Sequence, residues 1–457
     1  MTGLLSRDKD TICALASAPG QAGISVVRVS GPQAISICRK VCSFLPAKLE
    51  THRIYYGHLK DPRVNDKVDE VLVSYFEEGR GFTGEDSFEI SLHGNPRLVD
   101  RCLEVLIDAG ARQAERGEFT FRAFINGRVD LVQAESVLDL IQSQSRKAAG
   151  LSLRQLEGQL SKSLFKMKER LTFILAHLEA NIDFASEDIQ VAEMRDLESQ
   201  LSEVISEIQK LLSGYRSGQI LKSGFKVVLV GRPNVGKSSL LNGLLQEEKA
   251  IVTSIEGTTR DLIEGQFLFG GYLVDLTDTA GQRDSVDEIE LIGQKRAREK
   301  MASADLILVV LDGSVESQDP EFNLTEGLDP TKVLVVVNKM DLPQKLSLDF
   351  WSDFDRVEVS SKTGSGLEEL KTKILSRILS EMPSEESVVS LNARHFNHLK
   401  QAEKLLGDSL QLMIQDESPD LIALDLHGAL REVYEILGEV YDDQVMDQVF
   451  NQFCIGK

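Results

Sequence analysis

Residues 231–238 read Gly-Arg-Pro-Asn-Val-Gly-Lys-Ser, and the fold of the middle of the chain follows from them. The spacing is G-x-x-x-x-G-K-S. Gly231 and Gly236 allow a turn tight enough to aim successive backbone N–H groups at phosphate oxygens. Lys237 brings a point charge to the outer phosphates, and Ser238 offers a hydroxyl to Mg²⁺. Asn234, Val235 and Ser239 complete the loop. Residues 226–230 (KVVLV) predict a strand before it, and residues 238–245 predict a helix after it. Strand, glycine loop and helix is the order this chemistry needs, because the helix N-terminus adds its partial positive charge to the phosphate site.

Working outward, further segments fall in the order that a guanine nucleotide requires. Asp278, Thr279, Ala280 and Gly281 follow the run 272–277; the aspartate suits Mg²⁺ held through water, and the Gly281 N–H suits the terminal phosphate. Asn338, Lys339, Met340 and Asp341 follow a second apolar run, 333–337. A carboxylate at Asp341 accepts two N–H bonds from guanine that adenine does not offer. Ser360, Ser361 and Lys362 follow the run 357–359 and fit a loop that closes over the base. Between the first two motifs lie Thr253, Ser254, Ile255, Glu256, Gly257, Thr258 and Thr259, of which Thr259 is suited to ligate Mg²⁺ and close over the terminal phosphate. Any one piece alone reads as a turn or a strand end. Together, in order and each after an expected strand, they define a GTP-binding domain over residues 225–378.

With 457 residues the chain has room for about three domains. Its formal charge of −21 argues against a strong autonomous grip on DNA or RNA, since phosphate neutralisation needs clustered Lys and Arg. An RNA held by a partner or a local patch stays compatible with it. The five cysteines, Cys13, Cys38, Cys42, Cys102 and Cys454, show no C-x-x-C pair and no His/Cys ligand spacing. That usage fits a reducing cytoplasm and not a disulfide or zinc framework. Residues 1–10 lack the apolar core of a signal peptide, and no apolar run approaches membrane length, so a soluble cytoplasmic chain with no membrane association is expected.

The texture changes along the chain. Before residue 123, short strands (24–29, 71–76, 88–92) mix with helical stretches such as 98–109, an α+β pattern. Leu153, Leu156, Leu160, Leu164, Met167, Leu171, Ile174 and Leu178 then recur at three- and four-residue steps, an amphipathic seam. A second seam runs through Leu197, Leu201, Val204, Ile208 and Leu211, and a third through Leu426, Leu430, Val433, Leu437 and Val440. The expected fold is multidomain, α+β and α/β: an N-terminal α+β domain at 1–122, a discontinuous helical domain at 123–222 and 381–457, and a Ras-like P-loop GTPase domain inserted at 223–380. Linkers are expected at 213–223 and 382–387. The final Cys454-Ile455-Gly456-Lys457 has the outline of a prenylation box, but a terminal lysine is not a usual acceptor. A terminal thiol is more often incidental than catalytic, and becomes a nucleophile or reductant only where a neighbouring charge lowers its pKa.

Along essentially its whole length the chain resembles the bacterial tRNA modification GTPase family MnmE, also called TrmE. The resemblance is carried by Pro19-Gly20-Gln21-Ala22-Gly23-Ile24 with Val27-Arg28-Val29-Ser30-Gly31, by Phe82-Thr83-Gly84-Glu85-Asp86, by Arg116-Gly117-Glu118-Phe119-Thr120, by Asp130-Leu131-Val132-Gln133-Ala134-Glu135, and by the GTPase motifs and terminal CIGK. It implies an N-terminal domain that forms a homodimer and binds a tetrahydrofolate derivative (5-formyl- or methylene-tetrahydrofolate) as one-carbon donor. Arg28, Glu89 and Arg128 would contact the folate, with Cys454 to Lys457 approaching the same pocket. The family often has lysine where this chain has Arg128, which keeps charge but changes hydrogen-bond geometry. With a flavin- and NADH-using partner, MnmG (GidA), in a heterotetramer, the resemblance implies addition of an aminomethyl or carboxymethylaminomethyl group to C5 of the wobble uridine of tRNA.

The resemblance further implies K⁺-stimulated hydrolysis, with Asn234, Thr253, Ile255 and Thr258 as K⁺ ligands in the role of an arginine finger. By spacing, the water-orienting acid falls on Glu290. One position departs from the family pattern: Gln282 directly follows DTAG, the arrangement in which Ras orients its attacking water, where the family commonly carries an apolar residue. Glu290 is favoured because Asn234 and the K⁺-loop residues are all present, and Gln282 stands as the alternative. Arg283 either steadies the switch or faces water. Two function classes remain: an RNA-modifying enzyme whose GTP hydrolysis drives domain rearrangement, and a regulatory GTPase that acts on ribosomes or other assemblies without tRNA chemistry. The second predicts a basic RNA-binding module, which the sequence lacks.

Overall fold

The computed structural model describes residues 10–183, 194–246, 264–278, 300–316, 329–348, 351–382 and 388–457. They form two compact units: Met1–Ile141 with Leu153–Gln209 and Arg394–Lys457, and Gln142–Ser152 with Lys210–Ala393. Each holds a six-stranded sheet.

In the first unit, β1 (Ile12–Leu15), β2 (Ala22–Ser30), β3 (Arg53–Asp61), β4 (Asp66–Phe76), β5 (Ser87–Gly94) and β6 (Arg112–Gln113) run in the order β3-β4-β5-β2-β1-β6. All neighbours are antiparallel except β1 and β6. The two-residue period of a strand sorts its side chains. Val27 and Val29 of β2 and Phe88, Ile90 and Leu92 of β5 share one core with the helices Ala34–Val41 and Pro96–Asp108. Arg28 and Glu89, one residue out of phase, therefore take the other face. Asn95 caps the second helix by accepting the Arg97 N–H, with proline in its first turn.

The helices outside the two sheets follow the expected seams with two revisions. The seam from Leu153 to Leu178 is broken by Gly158, which sits at φ +86°, into the helices Arg146–Leu156 and Gln159–Asp183. Leu160, Leu164, Met167, Leu171, Ile174 and Leu178 are buried, whereas Leu153 is exposed. The helix Pro419–Leu437 buries Leu426, Leu430, Val433 and Leu437 and ends at Gly438 in the left-handed conformation, so Val440 falls outside it and is exposed. Phe450 and Phe453 join Phe121, Leu131, Ala134 and Val137 in one core, which fastens the helix Asp443–Phe450 to the helices Glu118–Ile125 and Leu131–Gln142. The boundary expected at residue 122 thus lies inside a helix.

The second unit comprises β7 (Phe225–Val230), β8 (Glu264–Phe269), β9 (Tyr272–Asp278), β10 (Leu306–Asp312), β11 (Val333–Asn338) and β12 (Asp355–Glu358), in the order β12-β11-β10-β7-β9-β8. All pairs are parallel except the β8–β9 hairpin. Alternate residues enter opposite cores: Val227, Leu229, Leu308 and Val336 one, Val228, Val230, Val309 and Val335 the other. That two-sided burial explains why these strands read as unbroken apolar runs. Strand order reverses around β7, and ligands of such sheets bind beyond the carboxyl ends of the strands at that reversal. The stretch 213–223, expected as a linker, is mostly the helix Tyr215–Ser223, held where the Ser217 hydroxyl donates to the Glu381 carbonyl at 2.6 Å. Of the second expected linker, residues 383–387 lie outside the described residues.

The helical seams enclose one ionic cluster. His395 is fully buried, and its Nε2 lies 2.6 Å from Glu135, which also accepts from the Arg394 guanidinium at 3.0 and 3.1 Å. Burial alone would raise the Glu135 carboxyl; the charges and hydrogen bonds of His395 and Arg394 outweigh it and hold that carboxyl well below the usual range. Its stabilising contribution is therefore complete above the unfolded-state pKa of about 4.3 and lost as pH falls below that toward the folded value. Glu135→Gln is expected to destabilise the chain by about 3 kcal/mol at pH 7, because it leaves the fully buried His395 and the half-buried Arg394 without their shared counter-charge. The difference from wild type should shrink below about pH 4; denaturant melts at both pH values check this.

Candidate functional site

The phosphate loop leaves the carboxyl end of β7 and enters the helix Lys237–Gln246. Two positions carry its shape. Asn234 is held at φ +66°, where a side chain is tolerated, and Gly236 at φ +100°, where one is not. A Cβ on Gly236 would lie 2.3 Å from the Asn338 amide nitrogen, and one on Gly231 would lie 2.5 Å from the Val310 carbonyl. Lys237 is buried and its ammonium donates to the Gly231 and Arg232 carbonyls at 2.8 Å each, so the charge already lies over the mouth of the loop. Val235 packs into the core, and Ser238 and Ser239 open the helix.

Asn338 joins three motifs that are far apart in sequence. Its side-chain amide donates to the Val235 carbonyl at 2.8 Å, and its side-chain oxygen accepts from the Ser361 N–H and hydroxyl at 3.0 Å. The Ser360 hydroxyl donates to Asp341 at 2.7 Å, leaving the other carboxylate oxygen of Asp341 for a base. Lys339, at φ +65°, pairs with Asp312 at 2.6 Å, which helps hold that carboxyl below its usual range against the effect of burial. Lys362 is exposed at the same rim. Asp278 ends β9 and pairs in register with Leu229, so the start of its motif lies beside the phosphate loop. Thr253 to Thr259, including Ser254, Ile255, Glu256, Gly257 and Thr258, lie outside the described residues. So do Thr279, Ala280, Gly281, Gln282, Arg283 and Glu290.

A second site lies on the open face of the first unit's sheet. Arg28 and Glu89 are register partners across β2 and β5, and the guanidinium donates twice to one carboxylate oxygen, at 2.7 and 3.1 Å. They line a pocket of about 200 Å³ with Phe76, Arg80, Gly81, Phe82, Thr83 and Ser87. The guanidinium of Arg28 lies over two aromatic rings, 5.4 Å from the Phe82 centroid and 5.6 Å from that of Phe119. Arg128 stands one step behind, donating to the Gly79 carbonyl at 3.1 Å. Lys457 belongs to this neighbourhood: burial first, and then the charge of Arg28, push its ammonium below the usual lysine range, while Glu89 and Cys454 oppose the shift. Sequence reasoning singled out Arg28, Glu89 and Lys457 but missed Arg80 and the Phe119 ring. The latter sat in plain view within Arg116-Gly117-Glu118-Phe119-Thr120, with no signal of which face it occupies.

Four of the five thiols are buried, and burial pushes Cys13 and Cys42 up to about 12 and Cys38 and Cys102 well above their usual value. Cys454 is exposed, three residues from Lys457.

The profile of the MnmE helical domain matches residues 131–454, and that of the GTP-binding protein TrmE N-terminus matches residues 11–128. A tRNA modification GTPase MnmE of Bdellovibrio bacteriovorus is 44% identical, covering 99% of this chain and 98% of that protein. One of Alkaliphilus oremlandii is 41% identical over 98% and 99% respectively. Among solved structures, the G domain of the T. maritima FeoB iron transporter is 33% identical, covering 34% of this chain and 98% of its own, with a TM-score of 0.25.

The burial pattern makes a direct chemical prediction. A maleimide added to the native chain should modify one thiol, Cys454, as read by intact mass and peptide mapping. A second adduct before unfolding would mean that at least one of the buried thiols is reachable.

Proposed function

This chain belongs to the MnmE (TrmE) family of tRNA modification GTPases, and from that premise we propose that it couples GTP hydrolysis to modification of the wobble uridine of tRNA. The observation that carries the reading is the coexistence, in one chain, of a guanine-nucleotide loop system and a separate charged pocket that the chain's own C-terminus approaches.

At the nucleotide site the residues act by positioning. Gly231 to Ser238 present backbone N–H groups and the Lys237 ammonium to the phosphates, and Asp341 and Asn338 select the base and brace its loop. The donor set is of hard oxygens, which suits Mg²⁺ at Ser238 and Thr259 and K⁺ at Asn234, Thr253, Ile255 and Thr258. These ions would supply positive charge to the phosphates during hydrolysis. Glu290 is the proposed water-orienting acid, with Gln282 the alternative.

At the second site a tetrahydrofolate derivative is the proposed one-carbon donor. The Glu89 carboxylate is an acceptor suited to the ring N–H groups, and Arg28 fixes that carboxylate. Arg128 and Lys457 add positive charge for the ligand's carboxylates. A cavity of about 200 Å³ is below the range for a whole drug-sized ligand, so it suits the fused ring with the remainder outside. Cys454 is the accessible thiol at this end. A homodimer, working with MnmG and tRNA, completes the proposal; the acidic balance of this chain leaves much of the RNA grip to that partner.

Two measurements test the reading. Nucleosides of tRNA from cells lacking this chain should have lost the C5 modification of the wobble uridine; intact modification would favour a regulatory GTPase acting on some other assembly. GTP turnover should be at least about tenfold faster in KCl than in NaCl of equal ionic strength, and Asn234→Ala should remove the difference. Equal rates in the two salts would exclude the K⁺ role and leave Gln282 to position the water.

A further inference from the structure

The pocket around Arg28 takes one wall from the 79–86 turn, which brings Arg80, Gly81, Phe82 and Thr83 to the lining. The start of the helix Glu118–Ile125 does not line it: the Phe119 ring is fully buried, with its centroid 5.6 Å from the Arg28 guanidinium, and the Phe119 N–H donates to the Lys457 carbonyl at 3.2 Å. Neither the turn nor this helix is a strand of the sheet that carries Arg28 and Glu89, so contacts outside the strand ladder hold one to the other.

The Asn126 amide donates to the Thr83 carbonyl at 2.8 Å and Arg128 to the Gly79 carbonyl at 3.1 Å, and a buried cation makes a third tie, to a carboxylate of the turn. Arg122 is 3% exposed. Its Nη1 donates to both Glu85 oxygens at 3.0 and 3.1 Å and to the Asp10 carbonyl at 2.8 Å, and its Nη2 donates to Glu118 at 3.0 Å. Glu118, itself buried, is also gripped by Arg112 at 2.6 and 2.9 Å. On the other side Glu85 accepts the Ser30 hydroxyl at 2.7 Å, and Ser30 and Thr83 share a hydrogen bond of 2.7 Å. The planar guanidinium fork thus joins a carboxylate in the Phe82–Thr83 wall to a carboxylate one residue before Phe119.

We propose that Arg122 is a positioning residue for this pocket: gripped by Glu118 on its own helix and by Glu85 in the turn, it clamps the turn that lines the pocket in the place where Phe82 and Thr83 hold a flat, ring-sized ligand against Arg28 and Glu89. The proposal rests on the folate reading of the pocket, and deepens it by naming what holds the lining turn in place. The chemistry favours a clamp over a plain stabilising pair. A buried ion pair adds little net stability over well-packed apolar groups, whereas its fixed geometry over-determines what it connects.

The test measures 5-formyltetrahydrofolate binding by titration calorimetry, GTP turnover and the melting temperature on the full chain. Glu85→Gln keeps the side-chain shape but offers an amide where Arg122 needs a second acceptor. It is expected to weaken the ligand by about tenfold, the equivalent of one hydrogen bond to a charged group, with GTP turnover unchanged. Arg122→Lys keeps the charge without the fork and should weaken binding at least as much. Glu85→Gln binding within twofold of wild type, whether or not it melts earlier, would overturn the clamp. Failure of the wild-type chain to bind, or equal binding by Arg28→Ala, would instead overturn the folate reading itself.

Discussion

The end of the chain is held against its beginning, and the layout of the first unit depends on that contact. Ile455 bridges Arg116, the Phe119 N–H bonds to the Lys457 carbonyl, and Gly456 sits at φ +95° where a Cβ would lie 2.0 Å from the Leu15 carbonyl. No other residue type fits there. Gly117 is under the same restriction, 2.5 Å from the Phe450 carbonyl. The aromatic core of Phe121, Phe450 and Phe453 fastens the returning segment. Because closure entropy grows only with the logarithm of loop length, about 0.6 kcal/mol per doubling, a whole GTPase domain can stand between the two joined segments at little extra expense.

Charge follows the same economy of place. This strongly acidic chain buries few charges among the described residues, and its fully buried carboxylates, Asp61 and Glu118, are tied to arginine. Arg122 with Glu85 and Glu118 lies behind the second pocket, and Arg394 with Glu135 and His395 lies between the helices. In the GTPase unit the polar residue doing comparable work is neutral: Asn338 is fully buried and bonds to two separate loops. An amide has donors and acceptors on one flat group, so it can brace the phosphate loop and the base loop at once without a counter-charge.

Much of the nucleotide site was legible because its chemistry lies in short contiguous strings, each after an apolar strand buried on both faces. The expected strands at 226–230, 272–277 and 333–337 fall within β7, β9 and β11. Of the strands that escaped notice, β1 and β6 are short, at four and two residues, and the others are of two kinds. β3 and β8 carry mixed polar residues because one face is open or the strand is at an edge, and β10 (LILVVLD) is a plain apolar run with no motif to mark it. The helical seams were read correctly in phase but not in extent, since Gly158 and Gly438 end helices through backbone conformations that periodicity does not register. The stretch 213–223 looked like a linker from its Gly and Ser content, but packing turned it into helix.

Sequence alone settles what depends on residue type at a local spacing: two glycines and a lysine at phosphate-loop distance, an aspartate that discriminates guanine, five cysteines without ligand spacing. Tertiary structure settles what depends on residues that spacing does not connect. Arg28 faces Glu89 because antiparallel register puts them opposite, and Lys457 joins them because a glycine lets the chain end lie flat on β1. Arg122, one helical turn after Glu118, becomes the tie to the pocket's lining turn only when Glu85 is folded against it. A carboxylate's partner is a matter of a few ångströms, and distance between strands is not written along the chain.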